Sequence, residues 1–231
     1  MREKFFGKIF KKAVTFSGSD RLIDMEKGKP QAQGLRFFSF YGLIMGNEKQ
    51  RSLPMEFWDL YDKDRRPLGR THQRGLPVPP GAYHLAVIVV LLNHRGEVLL
   101  TRRAKEKALC PGWWENTGGS VLAGETSRQA IARELREETG LLADPETFTL
   151  LLQEDCRGDT HFDIYALSWD GDAEDIRFQP GETDAARWVP LEAWQQVAGT
   201  EGTLCPAQRQ AYRQELYRRI ALYQQGKRTF S

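Results

Sequence analysis

The sequence predicts an α+β fold, a mixed β-sheet held between helices in an α/β/α sandwich. Three observations carry this expectation. The run Tyr83-His-Leu-Ala-Val-Ile-Val-Val-Leu-Leu92 is continuously apolar and rich in β-branched residues, the signature of a strand covered on both faces. Hairpin-like pairs of apolar segments surround it. A single well-capped helix then interrupts the strands.

The elements follow in order. Trp58-Asp-Leu-Tyr-Asp62 is apolar-rich, Asp64-Arg65-Arg66-Pro67-Leu68-Gly69 is turn-like, and Gly75-Leu-Pro-Val-Pro-Pro-Gly81 is a linker. After the long strand, Asn93-His-Arg-Gly96 turns the chain, and Glu97 to Arg103 is expected to return as its hairpin partner. Trp113 to Gly119 is a short segment ending in glycine. Residues 126–139 form a helix. Phe148 to Glu154 and Phe162 to Trp169 pair antiparallel, Arg187 to Pro190 is a short strand, and helices follow at 191–197 and 207–223. Tyr212, Leu216, Ile220 and Tyr223 line one stripe of the last helix.

Length and composition bound the function. A chain of 231 residues exceeds one ~150-residue domain by a small surplus. Hydrophobic residues make up 40% and charged residues 28%, which is globular and excludes a disordered chain. No stretch reaches the ~18 apolar residues that a spanning helix needs, so no membrane partner is expected. The net charge of +2 gives no general pull toward nucleic acid. Cys110, Cys156 and Cys205 have no metal-type spacing and fit a reducing, cytoplasmic compartment.

The charge is unevenly placed. Residues 1–54 hold 11 Lys and Arg against 5 Asp and Glu, with seven of the twelve Phe. They lack the apolar core and cleavage site of a secretory signal. The functional protein is expected to start at Met55, with 1–54 an upstream extension and 55–231 the domain, its core about 83–200. Arg209, Arg213, Arg218 and Arg219 near the C-terminus read as a solvated face.

The helix at 126–139 holds the informative anomaly. Thr126 and Gln129 fit a capping box, and Gly140 suits the left-handed position after the last turn. At about 100° per residue, Glu138 lies about 40° to one side of Glu134 and Glu137 about 60° to the other, within the arc of Ala130, Ile131 and Leu135. Three carboxylates therefore share the packing face, where like charges repel and desolvation is costly. A divalent cation, Mg²⁺ or Mn²⁺, supplies the compensation, because it takes hard oxygen ligands and binds phosphates. Arg133 is four residues before Glu137 and can tether it.

The spacing around that helix is Gly119, five residues, Glu125, seven residues, Arg133-Glu134-Leu135, one residue, Glu137-Glu138, one residue, Gly140-Leu141. It resembles a complete Nudix box. The resemblance implies a loop–helix–loop and Mg²⁺-dependent hydrolysis of a pyrophosphate bond in a small phosphorylated substrate, usually a nucleoside diphosphate linked to another moiety. It implies Glu134 and Glu138 as principal metal ligands with Glu137 close by, the carbonyl of Gly118 as a further ligand, and Glu182 as the glutamate from a distant loop. Either Glu134 or Glu182 is the proton acceptor. Several such enzymes are homodimers.

A wider resemblance links Trp58-Asp-Leu-Tyr-Asp62, Gly69-Arg-Thr-His72, Tyr83-His84-Leu85, Thr101-Arg-Arg103 and Pro111-Gly-Trp113 to Nudix proteins similar to isopentenyl-diphosphate isomerase. Isomerisation on the same scaffold is the alternative activity. Against it, the residues 115–120 hold neither the Cys nor the His that an isomerase places there, Cys110 comes too early, and only His72 and His84 match two of its ligands. Arg102 and Arg103 are candidates for substrate phosphate, though strand alternation turns only one inward. Trp113 and Trp114 are candidates for stacking a base.

Overall fold

The long apolar strand is the spine of the molecule. The computed structural model describes residues 55–207 and 210–230, with the side chains of Cys156 and Arg157 excepted. The proposed extension 1–54 and Arg209 lie outside the described residues.

Strand β3 (His84–Leu92) alternates its burial between two layers. Val90 and Leu92 join Val98, Leu100 and Ile164 beneath α2 (Leu191–Val197) and α3 (Gln210–Gln224), where Trp194, Leu216, Ile220 and Tyr223 close the layer. Val87, Val89 and Leu91 join Leu99 and Tyr165 beneath α1 (Ser127–Thr139), against Ala130, Ile131 and Leu135. Helices on both faces explain why the strand carries no polar alternation.

The antiparallel pair expected at 148–169 is present as β7 (Thr149–Arg157) and β8 (Thr160–Ser168). Three expectations need correction. Strand β4 (Glu97–Arg103) meets β3 only at Leu92 and Val98. The long partner of β3 is β8, in parallel from His84 and Thr160 to Leu92 and Ser168. The long partner of β4 is β9 (Thr183–Pro190), which begins four residues before the strand expected at 187. The physical reason is a wedge. β3 and β4 part beyond their turn, and β5 (Trp114–Glu115) pairs with β4 while β6 (Gly118–Ser120) pairs with β3.

Residues before the linker form a separate hairpin, β1 (Phe57–Tyr61) and β2 (Pro67–Gln73). Two of its fastenings to the sheet lie at Tyr61 and in its turn. Tyr61 and Tyr83 exchange backbone bonds of 2.8 and 2.9 Å. Arg65, in the hairpin turn at φ +62°, reaches Asp163 at 2.7 Å and the Phe162 carbonyl at 2.8 Å.

Candidate active site

Helix α1 starts as its sequence demands. The Thr126 hydroxyl accepts from the Gln129 backbone, and the Gln129 side chain accepts from the Thr126 N–H at 2.9 Å. Gly140 ends it at φ 73°. These caps fix the helical phase, and the phase delivers the carboxylates.

Glu134 and Glu138 turn inward, while Glu137 stands at the rim with 40% of its side chain exposed. Arg133 departs from the wet face that helical periodicity gives it. Its guanidinium folds over the site, with Nη1 2.8 Å from Glu134 Oε1 and 3.2 Å from Glu137 Oε2, and Nε 2.8 Å from Glu125 Oε1. A further bond to the Ser120 carbonyl at 3.0 Å ties the helix to the end of β6.

Glu138 is in a different state. Its Oε2 is closed off from solvent and accepts no hydrogen bond. Burial first, then the negative charges of Glu115, Glu134 and Glu182, push its carboxyl well above the usual range. Burial also raises Glu134 and Glu115. An orphaned acceptor beside like charges is costly unless a cation completes it.

The other carboxylates each have a cation. Arg103 Nη1 lies 2.9 Å from both Glu115 oxygens. Lys107 pairs with Glu182, and Ala104 N–H bonds the Glu182 carbonyl at 2.9 Å, bringing the turn before β9 to the site. Among the described residues no three acidic, His or Cys side chains are yet drawn into one ligand sphere. The donor set still fits a hard divalent cation, because carboxylates surround an oxygen that nothing satisfies.

Backbone geometry adds a donor. Val89 N–H bonds Thr117 O and Val121 N–H bonds Leu85 O. The ladder alternates, so Val87 and Gly119 form the bonded pair and the Gly118 carbonyl points away from β3. Gly119 must lack a side chain: a Cβ there would lie 2.2 Å from Glu134 Oε1.

Alternation also sorts the remaining candidates. Thr101 is opposite Glu115, so Thr101, Arg103 and Glu115 share one face of β4 and β5. Arg102 points to the other face, 2.6 Å from Asp184 Oδ1 and 5.7 Å from the Trp114 ring. Arg187 lies over the same ring at 3.9 Å, so Trp114 is already stacked from within the protein. Trp113 is half-buried in the loop leading to it.

Sequence reasoning missed Glu115 and Lys107. No local signal carried Glu115: its face follows only from its pairing opposite Thr101. Asn116 was missed too, and both polar atoms of its buried amide lack partners.

Comparison with known proteins identifies the family and supports the fold. The family profile described as NUDIX domain matches residues 82–213. An uncharacterized Nudix hydrolase of Listeria monocytogenes is 35% identical over 144 residues, covering 60% of this chain and 82% of that protein. An isopentenyl-diphosphate Delta-isomerase of Corynebacterium diphtheriae is 34% identical over 86 residues, 37% of this chain and 47% of that one. The crystal structure of a Deinococcus radiodurans protein superposes with a TM-score of 0.55 at 24% identity, covering 71% of this chain and 99% of that chain, which supports the fold. No helix among the described residues is long and apolar enough to cross a membrane.

Proposed function

We propose, from the premise that the chain belongs to the Nudix hydrolase family, that it uses Mg²⁺ or Mn²⁺ to hydrolyse the pyrophosphate bond of a small organic diphosphate, most simply a nucleoside diphosphate joined to another group. The observation that carries this reading is the orphaned Glu138 Oε2 among Glu115, Glu134 and Glu182.

Glu138, Glu134 and the Gly118 carbonyl would hold the cation, with Glu137 close by at the rim. When bound, the cation neutralises phosphate oxygens and lowers the pKa of a coordinated water. Glu182 accepts the proton of the attacking water. It comes from a loop outside the helix and keeps 35% of its side chain exposed, so it can swing between Lys107 and solvent. Arg133 holds Glu134 and Glu125 in place. Arg103 fixes Glu115 behind the site, while Arg102 and Trp114 lie on the opposite face of β4 and β5, against Asp184 and Arg187.

The isomerase alternative draws less support. Cys110 sits on the loop after β4, and burial pushes its thiol up. The His84 ring stacks flat on Trp58 at 3.9 Å and meets the Thr160 hydroxyl at 2.9 Å.

The deciding experiment incubates the full chain with Mg²⁺ or Mn²⁺ and a panel of nucleoside diphosphate derivatives and isoprenoid diphosphates, following phosphate-containing products. Metal-dependent cleavage of a P–O–P bond, lost in Glu138→Gln, is the expected result. Saturable metal uptake without cleavage, or deuterium exchange into isopentenyl diphosphate instead, overturns it.

A further inference from the structure

The β1–β2 hairpin does more than cover the sheet. Its open end is bonded to the loop that feeds α1: Ala123 N–H donates to the Phe57 carbonyl and Gly124 N–H to Asp59 Oδ2, both at 2.8 Å. The same loop carries Glu125, which Arg133 ties to Glu134. One residue from Phe57, Glu56 pairs with Arg74 just past the end of β2, side chain to side chain and through the Arg74 N–H to the Glu56 carbonyl at 2.9 Å. The hairpin thus holds the Arg74 guanidinium at the end that is bonded to the loop feeding α1.

Arg74 differs from the other cations near the cluster. Arg103 and Arg133 are 7% and 19% exposed and are held by enclosed carboxylates. Arg74 is 40% exposed, and its partner Glu56 is 34% exposed. A pair at the surface is weak, so its cation exchanges readily. A phosphate with two free oxygens is the better partner for a guanidinium, because it accepts a bidentate pair of charge-assisted bonds.

We propose that Arg74 is a substrate-binding residue that grips a phosphoryl group of the incoming diphosphate, and that Glu56 is the resting partner it leaves. The inference rests on the carboxylate cluster being the diphosphate site. It makes the hairpin a recognition arm that reaches the site from outside the helix and sheet.

Two variants of the full chain test it with inorganic pyrophosphate, followed by calorimetry with and without Mg²⁺, alongside thermal melting. Arg74→Gln weakens pyrophosphate binding about tenfold, the loss of one charge-assisted pair. Glu56→Gln binds as tightly as the parent or tighter, because the competing carboxylate is gone. Opposite responses with similar melting establish a ligand contact. Equal losses in both variants, or no change in Arg74→Gln, overturn it, since a pair that only pins the hairpin responds alike to losing either partner. In the hydrolysis assay Arg74→Gln raises KM and leaves kcat within about twofold. Opposite pyrophosphate responses in a chain that cleaves nothing would remove the hydrolase reading alone. Normal cleavage with an unchanged KM would remove the arm alone.

Discussion

Arg133 and Glu134 are neighbours in the chain, and their side chains still meet, with Nη1 2.8 Å from Oε1. Adjacent helical residues diverge by about 100° and do not ordinarily face one another. The contact exists because Glu125, one loop earlier, draws the guanidinium back over the helix. The arginine therefore acts as an internal cation at the position where the carboxylates most need positive charge.

Replacing that cation removes its compensation. Arg133→Gln leaves Glu125 and Glu134 partly enclosed without a partner, and the metal-free protein is expected to lose about 2 kcal/mol, less than a fully buried pair would cost. Urea denaturation in chelator measures it. Added Mn²⁺ restores more of the lost stability to the variant than it adds to the parent. An equal metal effect on both proteins would place the ion elsewhere.

Glu138→Gln separates catalysis from stability. Turnover and metal affinity fall together, while the metal-free fold gains about 1 kcal/mol at neutral pH, because the amide is uncharged without having to hold a proton that the unfolded carboxyl releases. The pH dependence has a definite sign. The folded carboxyl is raised, so above the ordinary carboxylate range the folded chain still holds a proton that the unfolded chain has released. Stability of the metal-free parent therefore falls as pH rises through that window. The variant falls less, and urea midpoints across the pH range in chelator show the difference.

Much of this site was legible in the sequence because α1 obeys a simple period. Capping residues set where the helix starts, so Glu134 and Glu138 could be turned inward by counting. Glu182 was reachable only through resemblance, since nothing local links a turn at 179–182 to a helix at 134–138. Glu115 needed a pairing register that the sequence does not contain: its face follows from its opposition to Thr101. The failure at β3 and β4 has the same origin. The turn at Asn93 to Gly96 was visible, but the two strands part after a single pair, and only long-range pairing with β8 and β9 reveals it.

Two neighbouring glycines should respond differently to alanine. At Gly119 the atoms nearest the new Cβ are the end of the Glu134 side chain, so the fold loses under about 1 kcal/mol while that carboxylate is displaced and metal affinity drops. At Gly118 the Cβ would lie 2.3 Å from the Val87 carbonyl and 3.0 Å from Ile88 Cα, which are backbone atoms. Gly118→Ala therefore costs roughly 2 kcal/mol or more in stability. Thermal melting and metal titration of both variants check the contrast. A stable Gly119→Ala protein with unchanged metal affinity would show that Glu134 is not a ligand.

His84 sets the acid limit of the fold. Burial is the main cause that holds its ring neutral, pushing its pKa down from 6.5 to about 4. Asp159 opposes this, and Arg74 and His161 add to it. In the unfolded chain the imidazole takes up a proton below about 6.5, and in the folded chain it does not until about 4. The stability this provides is therefore complete above the higher value and is lost as pH falls toward the lower one, on the order of 2–3 kcal/mol. His84→Phe keeps a ring against Trp58, loses the bond to Thr160, and no longer titrates. The variant starts lower at neutral pH and declines more gently on acidification, keeping the share of His161, which burial also lowers, and the unchanged share of the carboxyls. Urea midpoints taken from pH 7 to pH 4 compare the two slopes. Parallel slopes would mean that His84 is protonated in the folded chain, and the stack on Trp58 would then be a cation over an aromatic face.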